Sequence, residues 1–473
     1  MKYKLSYYIV TSDAINKEKD RIIYSTRSNK SFKVNDYSYD FIKNEKFDDI
    51  PKEYLDKLIE REIVVPHEEN ELETIIKENV EQIEKEDGDY LYEVIQPSAM
   101  CQLGCYYCGQ DHTKDYLSND LSEKICERVE NKLKNGNYKS FYIGWFGAEP
   151  LMGLKQMRLI NNRLKNYCEI NKISYGSKVV TNGLSLKPNI YKELVDDLKV
   201  DKIEITLDGT QKDHDEHRYL KDGKGSFDLI FNNLIKIVNM ENYGTYSKKC
   251  KITVRCNMDE KNPEAYPDLM DLFIEKGLYG KVAYTYPVGI YSWGGNDAHK
   301  QSLTKENFAK NKLLWSVKAI NEGIQKSVGL PKRTKVVCMS VGKNSEMIDA
   351  FGNVFNCTEV SYTDFYEDTP HKLGNLRRDT HLEVENPPLL NWNEKLLNNE
   401  FQCSSCRLLP VCGGACPKSW EEGNKACPPF KFNIKEALRL HYINDTIVDE
   451  KERNEAMDTF VKELKEKELE AYY

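Results

Sequence analysis

Three cysteines, Cys101, Cys105 and Cys108, lie within eight residues in the stretch Cys-Gln-Leu-Gly-Cys-Tyr-Tyr-Cys. Thiolates at this spacing can bind three irons of an iron–sulfur cube and leave the fourth iron without a protein ligand. Zinc is the alternative metal, with His112 as a weak fourth ligand. A disulfide is disfavoured beside so many other thiols in a chain expected to lack a secretory signal. The spacing therefore predicts a cluster with one open iron, where a small chelating cofactor can bind.

A second and larger group of cysteines lies further along the chain. Its members are Cys338, Cys357, Cys403, Cys406, Cys412, Cys416 and Cys427. Thiols this dense in a reducing compartment indicate metal ligation, and one or two zinc ions are the alternative to iron–sulfur clusters. The remaining cysteines lie among apolar residues at helical or strand spacing and are predicted to be buried. They are Cys126, Cys168, Cys250 and Cys256.

The composition limits the partners of the chain. A formal net charge of -8 at pH 7 disfavours non-specific nucleic-acid binding, which needs a basic footprint. No apolar run approaches the roughly 18 residues of a membrane span, and the N-terminus lacks a signal-peptide pattern. We therefore expect a cytoplasmic protein that contacts neither nucleic acid nor membrane. At 473 residues the chain is long enough for two or three domains.

Alternating strands and helices from about residue 92 onward must position the first cysteine group. The predicted strands are Tyr92–Gln96, Ser140–Phe146, Tyr175–Thr181, Lys202–Leu207, Lys251–Asn257 and Lys281–Tyr286. With helical periodicity between them, these units predict an α/β fold with a partial (β/α)6 TIM-like barrel. Sites in such folds lie at the carboxyl ends of the strands, and the triple-cysteine loop follows the first strand. We expect the strands to stop near residue 305, where a helix over Glu306–Lys326 follows.

Polar residues follow the next predicted strands and are expected to surround the cysteine loop. They are Glu149 in Gly-Ala-Glu-Pro, Asn182 in Thr-Asn-Gly, Asp208 in Thr-Leu-Asp-Gly, and Arg218 at the end of His-Asp-Glu-His-Arg. A carboxylate can hold an ammonium group or ribose hydroxyls, and an arginine can bind a carboxylate with two hydrogen bonds. Each segment alone would be ordinary turn chemistry. Four of them on one face, beside three thiols, indicate a specific site.

Together these motifs resemble those of the radical S-adenosylmethionine (SAM) enzymes. The motifs of this chain that carry the resemblance are CxxxCxxC with an aromatic residue before the last cysteine, a GGEP-like turn, TNG, and TLDG with a downstream HDxxR. The resemblance implies a 4Fe–4S cluster on Cys101, Cys105 and Cys108, whose open iron chelates the amino and carboxylate groups of SAM. One electron then cleaves SAM to methionine and a 5′-deoxyadenosyl radical, which abstracts a substrate hydrogen. Ala148 replaces the family's usual second glycine, a mild departure.

The same resemblance implies a role for each strand-end residue. Glu149 would meet the SAM ammonium group, Asn182 and Asp208 its sugar or amino acid part, and Arg218 its carboxylate. Tyr107 would lie near the adenine. No residue is nominated as a general base, so the catalytic residues are unknown at this point.

The second cysteine group resembles the SPASM domain, an auxiliary-cluster extension of radical SAM peptide and protein maturases. The run from Gly352 to Cys357 matches the opening half of that domain, and the run from Leu373 to Leu376 matches its connection. The resemblance implies a distal 4Fe–4S cluster on Cys403, Cys406, Cys412 and Cys427, and a nearer one on Cys338, Cys357 and Cys416. Fully ligated family members have another cysteine upstream, which this chain lacks, so the nearer cluster is expected to have an open site.

The residues before the barrel form a separate region. Strands around Leu5–Thr11 and Arg21–Tyr24, a helix after Pro51 and a strand at Ile63–Val65 predict a winged-helix-like α+β domain. Its acidic character disfavours DNA, whereas an exposed strand edge can capture an extended peptide; a mere cap on the next domain is the alternative. The predicted division is 1–91, winged-helix-like leader-peptide recognition domain and linking helix; 92–305, radical SAM barrel; 306–435, SPASM domain; 436–473, helical tail.

Enzymes with this layout mostly modify ribosomally made peptides, so the resemblance implies a maturase that binds a precursor peptide through its leader. A thioether from a cysteine sulfur to a carbon is favoured, because an open auxiliary site can hold a substrate thiolate. The alternatives are a carbon–carbon (cyclophane-type) or other cross-link, with the auxiliary clusters as electron acceptors, and sulfatase-maturase-like formylglycine formation. The N-terminal domain and the missing ligand disfavour the last. Each of these three reactions implies SAM, three 4Fe–4S clusters, and a low-potential electron donor such as flavodoxin or ferredoxin.

Overall fold

The computed structural model describes residues 2–379, 382, 384 and 386–472. Contacts within the chain divide it into two compact units, each made of separated segments. The sheet unit comprises Glu84–Leu303 and Gly342–Leu390, and the helical unit comprises Met1–Ile83, Thr304–Val341 and Asn391–Tyr473. The predicted division into four functional segments stays a prediction, because these two units are defined by contacts alone.

Strands and helices alternate along much of the chain. The strands are β1 Tyr3–Leu5, β2 Ile9–Thr11, β3 Arg21–Ser25, β4 Ser31–Val34, β5 Val64–Pro66, β6 Tyr90–Ile95, β7 Ser140–Trp145, β8 Ser174–Thr181, β9 Val200–Thr206, β10 Lys251–Met258, β11 Thr285–Gly289, β12 Glu346–Ile348, β13 Asn353–Phe355 and β14 Lys372–Asn375. The α-helices are α1 Asp36–Lys43, α2 Lys52–Glu60, α3 Glu71–Asp89, α4 Asn119–Asn135, α5 Leu154–Asn171, α6 Pro188–Asp196, α7 Gln211–His217, α8 Phe227–Val238, α9 Tyr243–Lys249, α10 Ala265–Glu275, α11 Lys305–Asn321, α12 Trp392–Leu397, α13 Leu409–Cys412, α14 Pro417–Glu421, α15 Phe430–Thr446 and α16 Glu450–Glu466. Short 3-10 helices lie at Phe47–Asp49, Pro150–Gly153, Ala298–Gln301, Met339–Val341 and Asp364–Tyr366. No helix in the described ranges combines the length and the apolar character that a membrane crossing requires.

A nine-stranded sheet forms the centre of the sheet unit. Its strand order is β11-β10-β9-β8-β7-β6-β12-β13-β14. Strands β6 to β11 run parallel to their neighbours and are joined through helices, which confirms the predicted α/β class and partial TIM-like barrel. Beyond them, β12 pairs with β6 in parallel, and β13 and β14 follow in antiparallel order. The carboxyl ends of the parallel strands therefore share one edge, where their loops can build a single site.

Two expectations about the strands are wrong in detail. The sixth parallel strand begins at Thr285 instead of Lys281, because the preceding segment is a turn around Gly280, whose φ is +84°. The strands also continue beyond residue 305, since β12, β13 and β14 extend the sheet. Each of these has only three or four residues, too few for an alternating pattern to be recognised. The predicted helix after residue 305 is α11, which ends at Asn321.

The N-terminal strands belong to the helical unit, where they form two small sheets. One pairs β1 with β5, and the other has the order β2-β3-β4. Val10, Ile22 and Tyr24 of these strands pack with Leu313 of α11 and Leu438 of α15 in one hydrophobic core. The N-terminal segment and α15 therefore stabilise the same core, although the many charges after residue 434 suggest a helix that faces solvent.

Candidate functional site

The loop after β6 brings the first three cysteines together. The Cys108 N–H donates a hydrogen bond of 3.1 Å to the carbonyl of Cys105, so these two residues share a tight turn. Burial raises the pKa of Cys105 to about 12; the Arg218 guanidinium opposes this rise, and the nearby thiols of Cys108 and Cys101 add to it. Burial also raises the pKa of Cys101 and of Cys108. Iron would displace these protons, because the thiolate is the ligand.

His112, the alternative zinc ligand, lies beside this loop. Its Nε2 is 3.8 Å from the Sγ of Cys108, and burial lowers the pKa of His112 to about 4. Over the described ranges, no three His, Cys, Asp or Glu side chains come close enough together to hold a single metal ion. The ligands of an iron–sulfur cube each bind a different iron, so they stand farther apart than the ligands of one ion.

Glu149 follows β7 and is fully buried. Its Oε1 accepts hydrogen bonds from Thr181 Oγ1 (2.6 Å) and from the Leu151 N–H (3.0 Å), and its Oε2 accepts one from the Asn182 N–H (2.7 Å). Burial raises the pKa of Glu149, while these three donors and Arg218 lower it. A carboxylate offers about four lone-pair directions, so one stays open for a further donor such as an ammonium group.

Asn182 connects this carboxylate to the cysteine loop. Its Nδ2 donates to Gln102 Oε1 at 3.0 Å and lies 3.6 Å from the Sγ of Cys101. Its Oδ1 accepts from the Leu184 N–H at 2.9 Å, which closes the turn after β8. The ends of β7 and β8 and the first cysteine therefore form one hydrogen-bonded group.

Ala148 shows why a glycine suits the turn before Glu149. Its φ is +43°, in the left-handed region that non-glycine residues disfavour, and Gly147 before it has a φ of +83°. The Ala148 N–H donates to Gln110 Oε1 at 2.8 Å, and this bond helps to hold the turn. The departure from glycine therefore leaves the backbone path intact and costs conformational energy.

We expect Ala148→Gly to raise the free energy of unfolding by about 1 kcal/mol, because it removes the left-handed strain but adds flexibility to the unfolded chain. Urea denaturation measures this change. The matched control is Ala283→Gly, at an exposed alanine outside the left-handed region, which is expected to lower the free energy by about 0.4–1 kcal/mol. Equal destabilisation by both substitutions would show that the turn carries no strain.

Tyr107, between two of the cysteines, is the centre of a second hydrogen-bonded group. Its hydroxyl donates to Asp208 Oδ2 (2.7 Å) and accepts from Arg218 Nη1 (2.6 Å) and Asn257 Nδ2 (2.8 Å). Asp208 Oδ1 accepts from the Asn257 N–H at 2.9 Å. The structure thus brings the predicted residues Tyr107, Asp208 and Arg218 together, and Asn257 at the end of β10 joins them.

Arg218 is buried, and its Nε has no hydrogen-bond partner among the described residues. Although burial opposes its charge, Cys105, Tyr107 and Asp208 hold the pKa of Arg218 above its usual value. A guanidinium with an open N–H fits a ligand carboxylate, and the open lone pair of Glu149 fits an ammonium group. The chain's residues therefore suit an amino acid ligand such as the methionine part of SAM.

The sequence singled out the segment that contains His214 and His217 but assigned these residues no role, and it missed Asp259. His214 Nδ1 accepts from the Asp208 N–H at 3.1 Å, and its Nε2 lies 2.9 Å from Ser226 Oγ. Asp259 lies 3.2 Å from His217 Nε2 and accepts from the hydroxyl of Tyr106 at 2.7 Å. Polar residues directly after a predicted strand were the available signal, and Asp259 follows β10 in this way.

Four cysteines of the second group line one cavity in the helical unit. They are Cys403, Cys406, Cys412 and Cys427, and the cavity has a volume of about 130 Å³. Phe401, Leu409 and Trp420 are among the apolar residues that close it. Burial raises the pKa of Cys412 to about 12, and the three other thiols raise it further. The arrangement suits a fully ligated cluster.

The remaining cysteines of the second group, Cys338, Cys357 and Cys416, do not line this cavity. Cys416 precedes α14 and lies close enough to Cys338 that its thiol raises the pKa of Cys338, in addition to the larger effect of burial. Cys357 belongs to the sheet unit and is buried beyond the end of β13. The four cysteines that were predicted to be structural, Cys126, Cys168, Cys250 and Cys256, are all buried, as predicted.

Comparisons with known proteins agree with the fold. The chain is 26% identical over 388 residues to the cysteine-type anaerobic sulfatase-maturating enzyme of Clostridium novyi, covering 75% of this chain and 97% of that one. It is 22% identical to the serine-type enzyme of Bacteroides thetaiotaomicron, covering 70% and 83%. The structure of native anSMEcpe with bound AdoMet and Cp18Cys peptide matches with a TM-score of 0.53 at 18% identity, covering 80% of this chain and 99% of that one. The last likeness shows a shared fold.

Residues 95–247 match the family profile described as the Radical SAM superfamily. This segment contains the three-cysteine loop, the Glu149 turn, the Asn182 and Asp208 strand ends, and Arg218. Members of the family use SAM and a 4Fe–4S cluster, which the open lone pair of Glu149, the open Nε of Arg218 and the three clustered thiols fit. Residues 95–247 of this chain therefore form a radical SAM domain.

Proposed function

We propose that this enzyme cross-links a ribosomally made precursor peptide by forming thioether bonds from a cysteine sulfur to a carbon. Its curated relatives are named sulfatase-maturating enzymes, and the solved structure of similar fold is described with a bound peptide, which supports a peptide or protein substrate. The chain also carries a four-thiol cavity outside the radical SAM domain, which a simple SAM-cleaving enzyme would not need.

In this proposal each predicted site residue has one task. Cys101, Cys105 and Cys108 hold the SAM-binding cluster, and SAM bound there supplies the radical that removes a hydrogen from the substrate. Glu149 accepts the ammonium group of SAM through its open lone pair, and Arg218 donates to the carboxylate. The Tyr107, Asn182 and Asp208 group orients the rest of the cofactor. The burial of these residues keeps water away from the reacting atoms.

The auxiliary clusters are part of the same proposal. Cys403, Cys406, Cys412 and Cys427 hold a fully ligated one, and their shared apolar cavity supports this assignment. Cys338, Cys357 and Cys416 hold a second, which is one cysteine short. A low-potential donor such as flavodoxin or ferredoxin supplies the electron that starts the reaction.

The observation that carries the thioether assignment is this incomplete second set, because an iron without a protein ligand can bind a substrate thiolate. The test is electron paramagnetic resonance of the holoenzyme with a cysteine-containing precursor and with its Cys→Ser version. We expect the cysteine peptide alone to change the auxiliary-cluster signal. Unchanged signals with both peptides would leave a carbon–carbon or other link, with the clusters as electron acceptors, as the better assignment.

Formylglycine formation is the second candidate, and the curated relatives favour it. The chain spans 97% of the length of the Clostridium novyi enzyme, so it carries the segments that correspond to a sulfatase-maturating enzyme. Incubation with a sulfatase-derived peptide that contains cysteine distinguishes the two. Formation of an aldehyde would support this candidate, whereas an unmodified peptide would favour the cross-linking proposal.

Leader-peptide recognition is assigned to the N-terminal strands. Strand β4 lies at the edge of its three-stranded sheet, where an added strand could pair with it. The ring of Phe32 in β4 contacts Tyr54 of α2 edge-on, with 5.1 Å between ring centroids, and the guanidinium of Arg61 lies 5.4 Å from the Phe32 centroid. Phe32 and Tyr54 are half-buried and pack against the core around Ile23, so the exposed parts of their rings offer an apolar surface at this edge strand.

We expect Phe32→Ala to weaken leader-peptide binding about tenfold while SAM cleavage without peptide is unchanged, since this apolar surface loses contact area. Fluorescence anisotropy with the labelled leader measures the effect. The control is Tyr37→Ala, an aromatic residue on α1 that is 73% exposed. Deleting residues 1–66 would be a poor test, because Val10, Ile22 and Tyr24 belong to the core of the helical unit. Unchanged affinity in Phe32→Ala would contradict the recognition role.

A further inference from the structure

The two faces of the parallel strands differ in chemistry. Residues such as Leu91, Ile143, Val179, Ile203 and Val254 are apolar and buried, as expected beneath the helices of βα units. The alternate positions form the opposite face, here called the inner face. Its members, defined by the pairing register, include Tyr92, Tyr142, Lys178, Lys202, Glu204, Arg255 and Tyr286. Parallel strands usually carry apolar side chains on both faces, so this polar face calls for an explanation.

Arg255 is an inner-face residue that contacts the hydrogen-bonded group of the SAM site. It precedes Asn257 by two positions on β10, and its Nε donates to Asn257 Oδ1 at 2.8 Å, while Asn257 Nδ2 donates to the hydroxyl of Tyr107. The side chain is half-buried, yet it forms no ion pair with a carboxylate in the described part of the chain. Glu204 raises the pKa of Arg255 from beyond ion-pair distance, and the remaining guanidinium N–H groups can donate to an acceptor from outside the protein.

Lys178 provides a second cation on the same face. Its ammonium lies 5.0 Å from the centroid of the Tyr92 ring. Burial lowers the pKa of Lys178, and the carboxylates of Glu204 and Asp201, which are too far away to form ion pairs, raise it. A partly desolvated ammonium without a paired carboxylate is costly, so an incoming anion would be favoured here.

The two carboxylates of this region, Glu204 and Asp201, each accept a hydrogen bond from a tyrosine hydroxyl. Glu204 Oε2 accepts a hydrogen bond of 2.6 Å from the hydroxyl of Tyr286, and Asp201 accepts one from the hydroxyl of Tyr142. Small residues make room for the tyrosine rings: a Cβ on Gly144 would lie 2.4 Å from the Tyr92 hydroxyl oxygen. The net result is a tyrosine-lined face with two cations, Arg255 and Lys178, neither of which has a carboxylate within ion-pair distance, although Glu204 acts on both from farther away.

We propose that the inner face binds an acidic side chain of the substrate peptide, with Arg255 as the residue that contacts the carboxylate and Lys178 as a supporting charge. The proposal rests on the proposed function, because it takes the substrate to be a peptide. An Arg–carboxylate contact placed just below the SAM site would fix the register of the peptide. It would thereby select which carbon faces the radical, so the class of substrate is a peptide with Asp or Glu at the modified segment.

The test is a binding measurement on the holoenzyme saturated with SAM. The probes are a decapeptide with blocked ends that contains one cysteine and one glutamate, and the same peptide with glutamine in place of glutamate. Isothermal titration calorimetry compares both with the wild type, Arg255→Met, Lys178→Met and the control Lys202→Met. Lys202 pairs with Lys178 in the register and is exposed, so it is a matched cation on the same face.

We expect the wild type and Lys202→Met to bind the glutamate peptide about tenfold more tightly than the glutamine peptide. At saturating SAM, Arg255→Met is expected to bind both peptides equally, and Lys178→Met is expected to have a reduced preference. The proposal is overturned if the wild type has no preference, if neither peptide binds at about millimolar concentration, or if Arg255→Met keeps the preference. This binding measurement does not depend on turnover. If a precursor peptide stayed unmodified in a separate activity assay, the proposed function would be contradicted, but a measured preference for the glutamate peptide would still support the binding site.

Discussion

Replacing Cys101, Cys105 and Cys108 together by alanine is expected to reduce SAM cleavage to background and to remove one 4Fe–4S cluster from the protein. The three thiols share one loop, and those of Cys101 and Cys108 lie close enough to Cys105 to raise its pKa. Without the cluster no site remains for the electron that cleaves SAM. Iron content and anaerobic production of 5′-deoxyadenosine measure the two effects.

A matched control separates this loss from general destabilisation. Cys126, Cys168 and Cys250 are also buried, but none of them belongs to the cysteine loop. Cys126 lies on α4, Cys168 on α5, and Cys250 directly before β10. Replacing these three by alanine should lower stability and leave iron content and SAM cleavage close to those of the wild type. Retained 5′-deoxyadenosine production in the Cys101/Cys105/Cys108 variant would contradict the assignment of the cluster to this loop.

Glu149→Gln is expected to weaken SAM binding by about 10- to 150-fold, because a hydrogen bond to a charged group contributes about 1.5–3 kcal/mol. The substitution removes the charge that would pair with the SAM ammonium. It also places an NH2 group against one of three donors, Thr181 Oγ1 and the N–H groups of Leu151 and Asn182. A buried donor then loses its acceptor, so the free energy of unfolding should fall by about 1–3 kcal/mol.

For Glu149→Gln, equilibrium dialysis with labelled SAM measures the affinity for SAM, and urea denaturation measures the free energy of unfolding. Glu127→Gln, an exposed change on α4, is the control and should alter neither. Burial raises the pKa of Glu149, so acidification should weaken SAM binding at a pH above the usual range of a glutamate. If Glu149→Gln kept the affinity of the wild type, the SAM ammonium group would have to bind elsewhere.

The parallel sheet could be predicted because its strands are long and separated by helices with clear apolar faces. Strands β12, β13 and β14 could not, because each is too short for a periodic pattern. Likewise, packing of Val10 and Ile22 against Leu438 joins residues from opposite ends of the chain, and only tertiary structure reveals such contacts. The placement of α15 in a core follows from those contacts.

The candidate site divides in a similar way. Residues that directly follow a strand, such as Glu149, Asn182 and Asp208, could be found from the sequence, because all parallel strands end at one edge. Arg255 and Lys178 lie within strands, so their shared face appears only once the pairing register is known. The left-handed φ of Ala148 also needed the backbone, since the substitution of a glycine by alanine looks mild in the sequence.

The most direct test of the central claim is anaerobic incubation of the reduced holoenzyme and SAM with the precursor peptide encoded beside its gene, followed by tandem mass spectrometry. Each thioether removes one hydrogen from a carbon and one from a cysteine sulfur. We predict a product lighter by two hydrogens per link, with fragments that join a cysteine to the carbon of another residue. A peptide that stays unmodified while SAM is cleaved, or one that carries an aldehyde in place of a cross-link, would contradict the account.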